Sequence, residues 1–128
     1  MITKQQIVTN DSIAFEGRTP CGVPGIIEHG KLCYKLKWYL VLYSNKKNEP
    51  ATYRILGTPY RREEGGTRGN WKITTGKDGR IVYQLNDENA KPFIYLLQLD
   101  QGVLMFTDAK GNLLVGDHDF SYILNRRF

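Results

Sequence analysis

The sequence has little of the chemistry on which enzymes usually depend. Its 128 residues include only two cysteines and two histidines, so a nucleophile–base pair can form only around His29 or His118. No Gly-x-Ser-x-Gly elbow occurs, and the glycine-rich residues 65–69 lack the Lys-Ser/Thr of a phosphate-binding loop. We therefore predict that the chain is not an enzyme. The alternative is an enzyme in which Cys21 and His29 form the catalytic pair.

Long apolar runs are also missing. The longest uncharged stretch is about the length of one strand, far short of the ~20 residues of a transmembrane helix. Met1-Ile2-Thr3-Lys4 lacks the basic and apolar segments of a secretion signal. Either the protein is cytoplasmic, or the chain begins after a removed signal or anchor. We predict a polar stub over residues 1–12 and one domain over residues 13–128.

The positive charge is not concentrated at one place. Eighteen lysines and arginines against thirteen acidic residues give a formal net charge of +5, but the basic residues occur singly or in pairs with acidic residues between them. This pattern is typical of a solvated surface, and we expect no nucleic-acid partner. The alternative is a nucleic-acid platform formed by Lys35, Lys37, Tyr39 and Tyr43 on one sheet face.

Strands dominate what the sequence does contain, and the clearest is the segment 32–43. Every second residue is apolar and is predicted to point inward, namely Leu32, Tyr34, Leu36, Trp38, Leu40 and Leu42. The opposite face is mixed, as expected where only one side of a sheet meets a core. Twelve residues are long for one strand, which predicts a bulge or a bend within it.

Similar alternation between turn residues recurs along the chain. The other predicted strands are Ile13–Gly17, Thr52–Leu56, Trp71–Thr75, Ile81–Leu85, Phe93–Leu99, Val103–Thr107, Leu113–Val115 and Phe120–Leu124. Asp78-Gly79 predicts a tight hairpin, and no segment has sustained helical periodicity. Short links favour pairing between sequence neighbours. We predict an all-β fold, a single antiparallel meander barrel of about eight strands, with a sandwich as the alternative.

Inward-facing aromatic residues allow two interpretations. Trp38, Trp71 and Tyr83 either fill the core or line a pocket for a small apolar ligand, as in a lipocalin-like carrier. A solid interior would argue against the carrier. Together with Cys21 and Pro24 of the Gly- and Pro-rich stretch, these three residues form our predicted ligand- or partner-binding set.

Metal sites have weak support from the residues alone. Asp117-His118-Asp119 offers oxygen and nitrogen ligands, but it reads more simply as a solvated turn. The spacing of Cys21 and Cys33 matches no zinc pattern, and the two cysteines could form one disulfide in an oxidising compartment.

Three segments resemble NlpE-type lipoproteins. Residues 15–26, Phe-Glu-Gly-Arg-Thr-Pro-Cys-Gly-Val-Pro-Gly-Ile, are similar to the opening of those proteins, where a strand ending in Gly leads into a Pro-Cys stretch. Gly69-Asn70-Trp71-Lys72-Ile73 is similar to their Gly-x-Trp strand, and residues 104–111 are similar to a later hairpin. The resemblance implies a lipocalin-like barrel on the periplasmic side of the bacterial outer membrane. It also implies envelope stress sensing, copper tolerance, and an envelope partner protein or small ligand.

The chain departs from that family at the cysteine loop. The family has a Cys-x-x-Cys pair there, whereas Cys21 is followed by Val23-Pro24 without a second cysteine. The resemblance therefore implies copper only through Cys21 and His29, and no other cofactor is expected. Membrane attachment would require a lipidated cysteine that is not part of this sequence.

Overall fold

The described part of the chain forms eight β-strands and no helix. A computed structural model describes residues 12–23, 35–57, 66–76, 78–116 and 120–127. The strands are β1 (Ser12–Thr19), β2 (Leu36–Ser44), β3 (Pro50–Gly57), β4 (Thr67–Thr75), β5 (Ile81–Asn86), β6 (Pro92–Asp100), β7 (Val103–Thr107) and β8 (Ile123–Arg127). No helix in this part is long and apolar enough to cross a membrane.

The strands close into a barrel in sequence order. Each strand pairs antiparallel with its neighbours, and β8 returns to pair with β1 through Glu16 and Asn125, among others. This confirms the predicted meander barrel and excludes the sandwich. Strand β1 begins at Ser12, the last residue of the predicted stub, and residues 1–11 lie outside the described part.

Strand β2 shows how the residue pattern determines the inside of the barrel. Leu36, Trp38, Leu40 and Leu42 are all buried, whereas the intervening residues are exposed or partly exposed. Side chains alternate between the faces of a strand, so one apolar row meets the core. The register with β3 shifts between Leu42 and Ser44, which confirms the predicted irregularity in this strand.

The interior is occupied by side chains from all eight strands. The largest fully buried residues are Tyr53, Phe106, Leu40, Leu42, Ile55, Leu85, Ile94, Leu96, Leu104, Leu124 and Thr19. Full burial of one such apolar side chain contributes about 1.5–3 kcal/mol. All of them except Thr19 belong to one contiguous apolar cluster that also includes Trp38 and Trp71.

The structure corrects three sequence predictions about strands. Alternation over residues 71–75 predicts that Ile73 continues the inward row from Trp71, but Ile73 is 50% exposed. The reason is that β4 pairs with β3 no further than Asn70, whereas it pairs with β5 up to Thr75, so the hairpin tip extends beyond the buried interior.

The predicted strand Leu113–Val115 is wrong. Leu113 makes one isolated bridge to Thr107, and Val115 is 90% exposed. Strand β7 pairs instead with β8, opposite Ile123–Asn125, which leaves this short apolar run without a neighbouring strand. The closing strand also begins later than predicted, at Ile123 rather than Phe120.

Candidate functional site

Trp38 was predicted to bind a ligand, and the structure places it in the packed core. Its indole nitrogen donates a hydrogen bond to the Thr19 hydroxyl at 2.9 Å, and its ring lies 4.8 Å from that of Phe106. Thr19 is fully buried and donates in turn to the Pro20 carbonyl. These contacts give Trp38 a complete structural role at the end of the barrel where β1 ends and β2 begins.

Trp71 and Tyr83 are brought together near the opposite end of β2. Their ring centroids lie 5.1 Å apart, and the Trp71 indole nitrogen donates to the Tyr43 carbonyl at 2.8 Å. Tyr83 faces Ile73 across the hairpin and is only partly buried. Partial burial raises the pKa of the Tyr83 hydroxyl above its ordinary value, because the phenolate loses solvation. This pair does not lie with Trp38.

The cysteine stretch is only partly described. Cys21 is disulfide-bonded, and its carbonyl accepts a hydrogen bond from the Tyr122 hydroxyl at 2.8 Å. Val23 is buried in the core. Pro24 and His29 lie outside the described residues, so their predicted roles in binding and metal coordination stay predictions.

Metal ligands are not gathered within the described part of the chain. No group of three or more His, Cys, Asp or Glu residues there could hold an ion. The Asp117-His118-Asp119 candidate falls outside that part. A disulfide-bonded cysteine presents no thiolate, so copper at Cys21 would require the reduced chain.

An open groove of about 680 Å³ on the barrel surface was not predicted from the sequence. It is lined by Tyr43, Thr52, Tyr53, Arg54, Arg68, Gly69, Asn70 and Glu88, from β2, β3, β4 and the turn after β5. We call it the outer groove. Its size is within the range of ~300–1,000 Å³ that is typical of ligand sites.

Two rows of outward side chains form the outer groove. Arg54 of β3 lies directly opposite Arg68 of β4, and Thr52 lies directly opposite Asn70. Glu88, in the turn after β5, lines the groove as well. One row therefore carries charge, and the other is neutral and polar.

Gly69 permits this arrangement because it has no side chain. A Cβ atom at Gly69 would collide with the Asn86 carbonyl oxygen and with the Tyr53 hydroxyl. These two groups are hydrogen-bonded to each other at 2.7 Å across the space that a side chain would occupy. Glycine at this position thus lets β3, β4 and the end of β5 approach closely beneath the groove.

The alternation of apolar and polar residues along β3 and β4 could have indicated the groove residues, since it places these polar side chains on the outside of the barrel. It could not show which of them become neighbours.

Comparison of the chain with known protein families, with curated proteins and with solved structures gave no match.

Proposed function

We propose that this protein is a non-enzymatic binding module of the bacterial cell envelope, with a role like that of NlpE-type lipoproteins in envelope stress sensing. The closed barrel supports a binding role on the outside. Its own side chains, such as Tyr53 and Phe106, are buried in the interior, and polar side chains of the strands face outward, where a partner or ligand can reach them. The alternative is a carrier of a small apolar ligand inside the barrel.

The observation that carries the proposed location is the disulfide-bonded state of Cys21. Structural disulfides form and persist in oxidising compartments such as the bacterial periplasm, and they are rare in the cytosol. The outer groove is the surface on which we place the binding role, because strands hold all of its lining residues except Glu88.

Copper tolerance is a narrower part of the proposal. A copper site at Cys21 and His29 would use a soft thiolate and an imidazole, a ligand pair that suits copper. The disulfide removes that thiolate, so copper binding would follow reduction. Copper titrations of the oxidised chain, the reduced chain and the Cys21→Ser variant test this. Equal affinity in all three would dispose of the Cys21 site.

The location is tested by thiol trapping of the full-length product in intact bacteria. We expect both cysteines to resist alkylation until a reductant is added, and the protein to fractionate with the envelope. The Cys21→Ser variant is the control, because its remaining cysteine should react without reductant. Cytosolic fractionation, or alkylation of the unchanged protein without reductant, would contradict the proposal.

A further inference from the structure

We propose that two copies of this chain associate through an apolar patch on the outside of the barrel and form a weak, symmetric dimer. The patch consists of the outward side chains of Val82, Leu97, Leu99, Met105 and Ile123, and we call it the apolar face. The inference goes beyond the proposed function, because it depends neither on where the protein resides nor on what the outer groove binds.

Four neighbouring strands place one apolar side chain each in a single row across this face. Val82 of β5 lies opposite Leu97 of β6. Leu97 lies opposite Met105 of β7, which lies opposite Ile123 of β8. The last three residues of the row are each adjacent in the chain to a fully buried leucine, so alternation along the strand directs them outward. Those leucines are Leu96, Leu104 and Leu124.

Water reaches the apolar face at several points. Leu97 at the centre of the row is only 8% exposed, but Val82, Met105 and Ile123 around it are partly exposed. Leu99, two residues beyond Leu97 on β6, is 39% exposed. A contiguous apolar patch of this kind on a folded domain marks a site of contact with another molecule.

The segment 113–115 adds apolar surface beside this face. Leu113 is 50% exposed and Val115 is 90% exposed. Leu113 bridges to Thr107 at the end of β7, and Gly116 lies against the carbonyl of Phe120, shortly before β8 begins. The two exposed side chains therefore lie next to the end of the face that β7 and β8 form.

Strands β6 and β7 have the residue pattern of strands that are covered on both sides. Residues 93–97 and 103–106 are uninterrupted runs of apolar and aromatic residues. An antiparallel strand with one solvated side alternates between apolar and polar residues, whereas a continuous apolar run is typical of a strand with both sides buried. The core of the barrel covers one side of these strands, and a second molecule would cover the other.

The lack of charge on these strands favours a second copy of the chain as that molecule. Strands β5, β6 and β7 contain one charged residue, Asp100, at the last position of β6. Each copy has a formal net charge of +5, so two copies repel each other least where neither presents charge. A two-fold axis brings the same surface of both copies together, and an apolar surface is complementary to itself.

The size of the face predicts that the dimer is weak. Four strands about 4.8 Å apart, with three outward positions about 7 Å apart on each, give a footprint of roughly 400 Å². Two such footprints fall short of the roughly 1,200–2,000 Å² that stable complexes bury, so we expect a dissociation constant on the order of 100 μM. The outer groove lies around β3, across the barrel from β7, so both grooves of the dimer stay accessible.

The test is analytical ultracentrifugation of the full chain from micromolar to near-millimolar concentration. Leu99→Lys and Met105→Lys each place a charge on the apolar face, and the two-fold axis brings two such charges together. Ile73→Lys is the matched control, because Ile73 is an apolar residue of β4 that is 50% exposed and lies outside the face. Leu99→Gln removes the apolar contact without adding charge, at a residue that is already exposed, so it keeps the test valid if a lysine variant does not fold.

We expect the sedimentation coefficient of the unchanged chain to rise with concentration toward that of a dimer. Leu99→Lys and Met105→Lys should each weaken the dimer about tenfold or more, because like charges then meet across the interface. Leu99→Gln should weaken it less, and Ile73→Lys should leave it unchanged.

Amide NMR over the same concentrations locates the interface. The signals of Val82, Met105 and Ile123 should shift as the concentration rises, whereas those of Thr52 and Asn70 in the outer groove should not.

Four results would overturn the proposal. They are a monomer at every concentration, a dimer that none of the Leu99 and Met105 variants weakens, an equal loss in Ile73→Lys, and concentration-dependent shifts in the outer groove instead of the apolar face. Binding of the monomer to phosphatidylcholine vesicles in place of self-association would likewise overturn it and assign the face to a lipid surface.

Discussion

Among single residues, Thr19 has the most demanding position, because its hydroxyl is fully buried and serves two partners. It accepts from the Trp38 indole and donates to the Pro20 carbonyl. Thr19→Val keeps the shape and leaves the Trp38 donor without its acceptor. We expect a loss of about 1–3 kcal/mol in the free energy of unfolding, measured by urea denaturation. In a Trp38→Phe background the donor is absent, so the same change should cost clearly less; equal costs in both backgrounds would show that the hydrogen bond is not the cause.

A second residue-level consequence concerns backbone conformation. Ala90 and Gly79 each occupy the fourth position of a five-residue hairpin turn, with φ of 65° and 81°. Their amides donate to the first residue of each turn, Asp87 and Gly76, in the same way. A left-handed conformation costs an L-residue about 1–2 kcal/mol and costs glycine almost nothing.

Opposite changes at these two positions should therefore have opposite effects. We expect Ala90→Gly to raise the free energy of unfolding by about 1 kcal/mol, and Gly79→Ala to lower it by a similar amount. A Cβ atom at Gly79 would meet no atom within 4 Å, so steric clash does not contribute there. Thermal or urea unfolding of both variants checks this, and the same sign of change in both would refute the conformational explanation.

At the scale of elements, three hairpin turns share the same pattern of side-chain hydrogen bonds. The turns that begin at Asn45, Asp87 and Asp108 each direct a side-chain oxygen at the amides two and four residues ahead. Such local bonds favour a turn over other backbone conformations. Asp108 also accepts from the Asn112 side chain at 3.0 Å.

This turn predicts a specific pH dependence. Hydrogen bonds from the Asn112 amide and side chain, followed by that of Lys110, hold the pKa of the Asp108 carboxyl below its ordinary value. The stabilisation is therefore complete above the unfolded pKa, about 4, and is lost as the pH falls through the lower folded value. Asp108→Asn keeps an acceptor, as Asn45 shows, and removes the titration. We expect the variant to differ from the unchanged protein less at pH 3 than at pH 6 in urea unfolding; a constant difference would contradict this.

The strands and hairpin turns also show how much of this structure could be predicted from the sequence. The inward row of β2 and the Asp78-Gly79 hairpin followed from alternation and turn chemistry, both of which act within a few residues. The outer groove could not be predicted, because it requires Arg54 to lie opposite Arg68. That register depends on pairing between strands joined by a long link, and a shift of one residue would reverse which side chains face outward.

At the scale of the whole molecule, closure of the barrel was predictable, whereas the amount of space left inside it was not. Short links between neighbours favour a meander, and closure removes unpaired edges. Interior space depends instead on strand tilt and stagger, which no single residue determines. That is why the sequence left open whether Trp38 is a core residue or part of a pocket, although it favoured the core; the structure shows its contacts with Thr19 and Phe106.

The same closure identifies β8 as the weakest part of the barrel. Among the described residues, three pairs join β8 to β1 and three join it to β7, whereas eight join β1 to β2. Strands with fewer pairs open at lower free energy than the rest of the fold. In native-state hydrogen exchange we therefore expect the amides of Ile123–Arg127 to exchange through a local opening, while those of Leu36–Leu42 exchange only on global unfolding.

Two matched core variants make this prediction about β8 sharper. Leu124 and Leu40 are both almost completely buried, and replacing either by alanine should cost about 2–5 kcal/mol of global stability. Leu124→Ala should in addition lower the opening free energy of β8 in exchange measurements, because its side chain is part of what holds that strand on the barrel. Leu40→Ala should leave the local opening of β8 unchanged, since β2 remains folded when β8 opens. Equal protection of β8 and β2 in the unchanged protein would mean that the barrel opens only as a whole.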